Sequence, residues 1–332
     1  MTEPEPPFVS VLISTKDRRE LLRQALDSLR HLDYPREKME LVVVEETSQP
    51  EDPGVDRYVV LPREGRGFAW SRNAALRAAS HPLVAFTDDD CIVDQMWLRE
   101  LAAPFEEPEI GAVAGAVLAQ PSGLLGKTEI VLGFPGGGLR RIAWAQGQIR
   151  PVRGLSTVNA AARREILETL GGFSEATGIY GGEDSDLFGR LTARHRAVFN
   201  PRAMVHHRAR DSVGGIARWL YRRGISAIAL VHLSRPRRLR AILAELRSSF
   251  LLRLGFVTAL LYVLGAPLAI SLFILAVVYY ALMIVRYRFA WRPMGLAVLL
   301  LTPLTKVLMD AAFDVGRLKG SLLWIGGSFQ ST

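Results

Sequence analysis

From Phe250 to Val285 the chain carries a single charge, Arg253. A spanning helix needs about 20 apolar residues, so the run is too long for one ordinary helix and just sufficient for two short ones. Gly265-Ala266-Pro267 interrupts it near the middle. The flanks are basic, Arg235 to Arg247 before it and Arg286 to Arg292 after it. Loops rich in Arg and Lys stay in the cytoplasm, so both ends belong on that side. The expectation is a transmembrane helical hairpin over 250–285. Met294 to Phe313 is also apolar, with Lys306, Asp310, Asp314 and Arg317 falling within one arc of a helix. Segment 294–320 therefore reads as an interfacial helix, with a third membrane helix as the competitor. Residues 213–249, with Arg218, Arg222 and Arg223 on one side of the first helix, read as basic amphipathic interfacial helices.

Charge balance supports the same view. The chain has 41 Lys and Arg against 33 Asp and Glu, a net charge of +8. The excess is dense between Arg194 and Arg247 and leads directly into the apolar runs. That pattern points to anionic membrane lipids and away from nucleic acid. The one cysteine, Cys91, excludes an internal disulfide and fits a reducing compartment. The segment 1–7 is acidic and Pro-rich, lacks the basic and apolar parts of a signal peptide, and reads as a disordered tail.

The first ~120 residues alternate strands with helices. Strands are expected at Phe8–Ser14, Met39–Glu45, Tyr58–Leu61, Leu83–Thr87 and Gly111–Ala119. Helices are expected over Thr15–Arg30, with Asp17 as its cap and Glu20 completing a capping box, over Ala69–Ala79, and after Asp94 as a further cap. This order implies βαβ units and a largely parallel sheet. Pro121 to Arg153 is Gly-rich and reads as one long irregular loop over the active site or against the membrane. Leu155–Asn159 is strand-like, Arg163–Leu170 a short helix closed by Gly171-Gly172-Phe173, and Ala197–Asn200 and Ala203–His207 are strand-like. A helix opens within Tyr180-Gly-Gly-Glu183-Asp184-Ser185-Asp186-Leu187, and another covers Val213–Ile228.

Ligands of open α/β sheets bind at the carboxyl ends of strands, and the acids gather there. Leu83–Thr87 runs straight into Asp88, Asp89 and Asp90. Three adjacent carboxylates repel unless a cation or solvent relieves them. Carboxylate oxygens suit Mg²⁺ or Mn²⁺, which often bind through one or two carboxylates plus substrate phosphates. Asp88 and Asp90 thus read as an Asp-x-Asp site for a divalent metal on a nucleotide diphosphate; the bland alternative is a solvated acidic loop. Glu183 and Asp184 either cap a helix, since acids favour helix N-termini, or do chemistry. No Gly-x-Ser-x-Gly elbow, Walker lysine or cysteine cluster is present, so those enzyme classes are excluded.

Taken together, these residues resemble the family 2 glycosyltransferases of the membrane-attached bacterial type, which have the GT-A fold. The matched stretches are Val9 to Thr15, Val43 to Ser48, Ser71-Arg72-Asn73, Phe86 to Asp90, Asn159, Gly171-Gly172-Phe173 and Gly181 to Leu187, covering roughly Phe8 to Gly224. The resemblance implies a GT-A glycosyltransferase domain over 8–212, an α/β nucleotide-diphospho-sugar transferase fold followed by C-terminal membrane helices. It implies a nucleoside-diphosphate sugar donor held by Thr15, Asp17, Glu45, Arg72, Asp88 and Asp89. In the family the position of Glu45 is usually Asp. It also implies Mn²⁺ or Mg²⁺ on Asp88, Asp90 and one histidine, for which spacing to Ser212 favours His207 over His206. Asn159 and Gly182 would meet the acceptor, Asp184 would be the general base of an inverting transfer, and Glu183 would orient the acceptor. The expected acceptor is a hydroxyl of a lipid-linked or glycan molecule at the cytoplasmic face of the inner membrane. Two rivals are direct transfer to a polyprenyl phosphate, which needs no base, and a non-catalytic membrane scaffold retaining the nucleotide-sugar-binding fold.

Overall fold

The computed structural model describes residues 5–120, 122–175, 181–234 and 239–325. Met1–Pro4 of the expected tail, Tyr180 of the Gly-Gly-Glu-Asp stretch and Arg235–Arg238 of the basic flank lie outside them. In chain order the elements are β1 (Val9–Thr15), α1 (Arg19–Arg30), β2 (Met39–Glu46), β3 (Arg57–Leu61), α2 (Phe68–Ala78), β4 (Leu83–Thr87), β5 (Cys91–Val93), α3 (Trp97–Ala102) and β6 (Ile110–Ala119). There follow α4 (Leu124–Val131), α5 (Gly138–Ala145), β7 (Arg150–Pro151), β8 (Asn159–Arg163), α6 (Arg164–Thr169), α7 (Glu183–Thr192) and β9 (Arg196–His207). The C-terminal helices are α8 (Val213–Ser234), α9 (Leu239–Arg247), α10 (Phe250–Val263), α11 (Leu268–Tyr287), α12 (Trp291–Met294) and α13 (Leu296–Ile325).

The chain forms two units, Met1–Pro121 with Gly133–Arg208, and Ser122–Leu132 with Ala209–Thr332. The first is built on one sheet with strand order β3-β2-β1-β4-β8-β6-β9-β5, and β7 pairs with β9. Strands β3, β2, β1 and β4 are parallel, as are β6 and β9, while β8 and β5 run antiparallel to their neighbours. The sheet is mixed rather than largely parallel. β1, β2 and β4 are near-continuous apolar runs because helices cover both faces of a parallel sheet, and their apolar residues are buried. One face packs Leu22, Leu26 and Leu29 of α1 with Trp97, Leu98 and Leu101 of α3. The other packs α2 and α7 through Ala75, Leu76, Leu187 and Phe188.

Several local expectations are corrected. α1 begins at Arg19, and neither Asp17 nor Glu20 caps it; Glu20 pairs instead with Arg23 and Gln24. Asp17 stands in the left-handed region at φ 51° and binds Thr47 and Arg63. Asp94 is no side-chain cap either, because α3 starts at Trp97 and the Asp94 carboxylate binds His206. The strand read over Leu155–Asn159 lies instead at Asn159–Arg163. Residues 5–7 are tied down rather than disordered: Glu5 pairs with Lys38, and Tyr34 donates to the Pro7 carbonyl at 2.5 Å.

The expected long loop after β6 holds two helices, and α4 belongs to the second unit. Asp211 accepts from the backbone N–H groups of Gly123 and, at 2.9 Å, Gly126. Glu129, fully buried, accepts from the backbone and guanidinium of Arg210, both at 2.9 Å. Thr128 meets Thr305 of α13 at 2.9 Å. α8 packs closely on α13 because glycines face each other: a Cβ on Gly316 would strike the Tyr221 carbonyl, and one on Gly224 the Phe313 carbonyl.

The hairpin expected over 250–285 is modified. α10 has 14 residues, about 21 Å at 1.5 Å per residue, short of a ~30 Å hydrocarbon core. Among the described residues two segments are long and apolar enough to cross a membrane, Leu268–Met294 and Leu296–Ile325. The polar arc of α13 faces protein. Arg317 meets Asp314 at 3.0 Å and Glu245 at 2.6 Å, Lys306 pairs with Asp310, and Asp314 and Arg317 are both buried. Charges within membrane segments usually pair with one another in this way.

Candidate active site

Thr15, Glu45 and Asp88 stand at or just beyond the carboxyl ends of β1, β2 and β4, and the register of the parallel strands puts Thr15 opposite Glu45. The chain turns at Asp88–Asp90, where Cys91 N–H donates to the Asp88 carbonyl at 3.2 Å, and returns as β5. β5 pairs with β9 so that Cys91 faces His207 and Ile92 faces His206. Alternation along the strand then separates the histidines. His207 Nε2 lies 3.3 Å from Asp90 Oδ1, whereas His206 Nε2 lies 2.9 Å from Asp94 Oδ1. Gln120 braces this corner, its amide donating to the carbonyls of Asp90 and His206 at 3.2 and 3.0 Å.

Asp88, Asp90 and His207 offer ligand atoms all within 4.8 Å of one another. Asp90 Oδ1 and His207 Nδ1 are buried with no hydrogen-bond partner. Adjacent ligands at ~2.1 Å from an octahedral Mg²⁺-sized ion stand ~3.0 Å apart, close to the Asp90–His207 separation. The donor set therefore fits a divalent cation. Burial, with Asp90 adding repulsion, pushes the Asp88 carboxyl up against the pull of Arg72 and His207.

Two guanidinium groups balance the acids. Arg72, on α2, meets Asp88 at 3.3 Å and forms a short ion pair with Glu183. Burial opposes its charge, but Glu183, Asp88 and Asp184 outweigh that and raise its pKa. Arg18 spans Asp89 Oδ1 at 2.7 Å and Asp90 Oδ2 at 2.8 Å. Asp89 also accepts from Thr15 at 2.6 Å, and burial pushes its carboxyl up to about 6 against those contacts. Thr15 and Asp89, both expected at the donor, thus hold each other. Glu45 is buried; its Oε2 accepts from Tyr58 at 2.5 Å, and its Oε1 has no partner.

Glu183 and Asp184 open α7, and Gly182 precedes them at φ 96°, a backbone strained for any side chain. Asp184 Oδ2 accepts from Ser156 at 2.9 Å and Oδ1 from the Ser185 N–H at 2.7 Å. Oδ1 also accepts from Ser185 Oγ at 3.3 Å, so Oδ2 is the oxygen that keeps a lone pair for a proton. Asp186 pairs with Arg190 at 2.7 Å, and Arg190 also donates to the carbonyls of Leu170 and Gly172. Asn73 clasps the backbone of Phe173 from both sides, at 2.9 and 2.8 Å.

Asn159 is a correction. Its side chain is buried, donating both N–H groups to the carbonyls of Ala116 and Ala203 at 2.7 and 2.9 Å and accepting from Trp97 Nε1 at 2.8 Å. It is a buried strut between two strands and a helix. Sequence reasoning also missed Arg18, Ser156, Gln120 and Tyr58. Arg18 alone had a signal, a cation one residue from Asp17 at the end of the first strand.

Comparison with known proteins gives the family. The sequence model of glycosyl transferase family 2 matches residues 10–171, and that of the N-terminal domain of galactosyltransferase matches residues 148–210. The O-antigen biosynthesis protein RfbC of Myxococcus xanthus is 32% identical over 64% of this chain and 19% of its own length. The succinoglycan biosynthesis protein ExoM of Rhizobium meliloti is 30% identical over 62% of this chain and 68% of its own. The chain spans well under two thirds of the length of several curated relatives, about a quarter of one Sinorhizobium fredii protein and 56% of the glycosyltransferase AglE of Haloferax volcanii. In fold it resembles a mannosyltransferase from Pyrobaculum calidifontis, solved with GDP-Man and Mn²⁺, at TM-score 0.63 and 22% identity over 96% of this chain and 88% of that one. On the family match and the two-thirds coverage of a 30% identical relative, the chain belongs to the family 2 glycosyltransferases and has their GT-A fold.

Proposed function

We propose that the protein transfers a sugar from a nucleoside-diphosphate sugar to a hydroxyl of a lipid-linked or glycan acceptor, with inversion, at the cytoplasmic face of the inner membrane. One observation carries this reading: Arg72 touches both Asp88 and Glu183, next to Asp184, so the acid–histidine cluster and the candidate base share one rim. Asp88, Asp90 and His207 would hold Mn²⁺ or Mg²⁺, and the imidazole tilts the set toward Mn²⁺. When bound, the metal offsets the charge gathering on the departing diphosphate. Arg72 carries a fixed positive charge beside the same group. The free Oε1 of Glu45 suits a ribose hydroxyl. Asp184, oriented by Ser156, takes the proton of the acceptor hydroxyl.

The donor class is supported by the GDP-Man in the Pyrobaculum enzyme, and a glycan acceptor by relatives named for O-antigen and succinoglycan biosynthesis. Two helices of spanning length and composition support a membrane site, and exposed Arg218 and Arg222 suit anionic lipids. Asp184→Asn tests the chemistry. Asparagine preserves shape and can still accept from Ser156 or the Ser185 N–H but cannot take the proton. Turnover of the full chain in nanodiscs should fall by roughly 10²- to 10⁴-fold, with donor affinity by calorimetry nearly unchanged. Transfer at the parental rate would remove Asp184 as base and favour a polyprenyl-phosphate acceptor. The anomeric configuration of the product, read by NMR, tests inversion.

A further inference from the structure

The three carboxylates of the rim face two guanidinium groups, and these are held differently. Arg72 is enclosed, its side chain 13% exposed, and it is fixed at both ends by Asp88 and Glu183. Arg18 is 45% exposed and rests on the rim from outside. Its backbone carbonyl accepts the first α1 hydrogen bond, from Leu22 N–H at 3.0 Å. Asp17, directly before it, stands in the left-handed region at φ 51°. Arg18 takes Asp90 Oδ2 and Asp89 Oδ1 together.

Asp90 is therefore divided. Oδ1 faces His207 on the side where a cation fits, while Oδ2 is held by Arg18. The four carboxylates that the two guanidiniums touch, Asp88, Asp89, Asp90 and Glu183, leave the cluster about two net negative charges. A divalent cation would cancel that charge, and Arg18 would then stand beside it as a like charge on the same carboxylate. A nucleoside diphosphate brings about three negative charges and restores the need for a cation at this edge.

We propose that Arg18 is a movable counter-ion that makes metal and donor binding interdependent. With the site free of donor it neutralises Asp89 and Asp90 and weakens metal binding. When metal and donor bind together it leaves Asp90 and pairs with the diphosphate. Arg18 is thus a positioning residue for the transfer. The proposal rests on the reading that this rim takes a divalent metal with a nucleoside diphosphate. Coupling of this kind is reciprocal, so it can be measured from either ligand without turnover.

The test is Mn²⁺ affinity of the full chain by electron paramagnetic resonance, alone and with saturating UDP or GDP, for the parent, Arg18→Gln and Arg18→Lys. Arg18→Gln should bind Mn²⁺ alone at least fivefold more tightly than the parent, a gain that damage to the fold would not produce. The factor by which nucleotide tightens Mn²⁺ binding should shrink at least fivefold. Arg18→Lys, which keeps the charge but cannot span two carboxylates, should fall between them. Asp90→Asn should abolish Mn²⁺ binding in both backgrounds, marking this site as the one observed. Unchanged or weaker Mn²⁺ binding by Arg18→Gln without nucleotide overturns the proposal. A parent that binds Mn²⁺ but no nucleoside diphosphate overturns the donor reading instead, while the metal-only comparison still decides whether Arg18 competes.

Discussion

Replacing Asn159 with alanine separates a strut from an acceptor ligand. Between Gly115 and Ala116 the pairing of β6 jumps from Asn200 to Met204, so β9 carries a bulge at this point. Asn159 fills it, bonding the Ala116 carbonyl on one strand, the Ala203 carbonyl on the other, and the indole of Trp97, which is fully buried. Gly115 has no side chain because the Asn159 amide occupies the place of its Cβ. Asn159→Ala leaves a buried N–H and two carbonyls short of partners. An orphaned buried group costs about 1–3 kcal/mol, and the void adds to it, so the total is about 3–5 kcal/mol. For a unit near 200 residues that lowers the melting temperature by roughly 6–20 °C. Thermal scans of the full chain in nanodiscs, with calorimetric Mn²⁺ titration, read both consequences, since the bulge aims the strand end that carries His207. Trp97→Phe removes one of the three bonds, and the two changes should be non-additive by about 1–2 kcal/mol. Parental melting temperature with only a raised KM for acceptor would refute the strut and restore Asn159 as an acceptor ligand.

Two further outcomes follow from packing and charge. Gly316→Val should lower the melting temperature of the detergent-solubilised chain by several degrees, because its side chain meets the Tyr221 backbone; Gly255→Ala, with nothing near its Cβ, should do no harm, and equal melting of Gly316→Val and the parent would contradict the close packing. Burial raises the Glu40 carboxyl, but hydrogen bonds from Ser10, Ser80 and Arg57 outweigh it and hold it down at about 2. A lowered pKa contributes stability at neutral pH that is lost as pH falls from about 4.5 toward about 2. Glu40→Gln should therefore cost on the order of 1–2 kcal/mol at pH 7, allowing for screening at half-exposed Arg57, and denaturant titrations should show that gap closing in acid. A gap independent of pH would contradict it.

β1, β2 and β4 were legible because both faces are buried, so they stand out as apolar runs, β2 and β4 leading into acids. β8 was not. Its Asn-Ala-Ala-Ala-Arg has weak strand propensity and forms a strand because small side chains let it lie between β4 and β6. Leu155–Asn159 has the better local pattern and lost to that packing. The polar arc of α13 was visible, but its partner Glu245 lies 72 residues upstream, so no local period could tell paired charges from headgroup contacts. Of the site, the acids announced themselves by position at strand ends. Arg18 and Ser156 act through neighbours far away in sequence, 71 and 28 residues off, and spacing carries no such information.

The loan of α4 to the second unit has a consequence in time. Helix α4 is synthesised early, but the Arg210 that satisfies its buried Glu129 is 81 residues away and the Thr305 that meets Thr128 is 177 residues away. At roughly 5–20 residues per second, Glu129 waits about 4–16 s for its cation and Thr128 about 9–35 s. Through that interval the strands on either side of α4 can already pair, while an acid destined for a dry interior stays in water. A nascent chain stalled before α13 therefore carries α4 with Thr128 still without the partner it meets in the second unit.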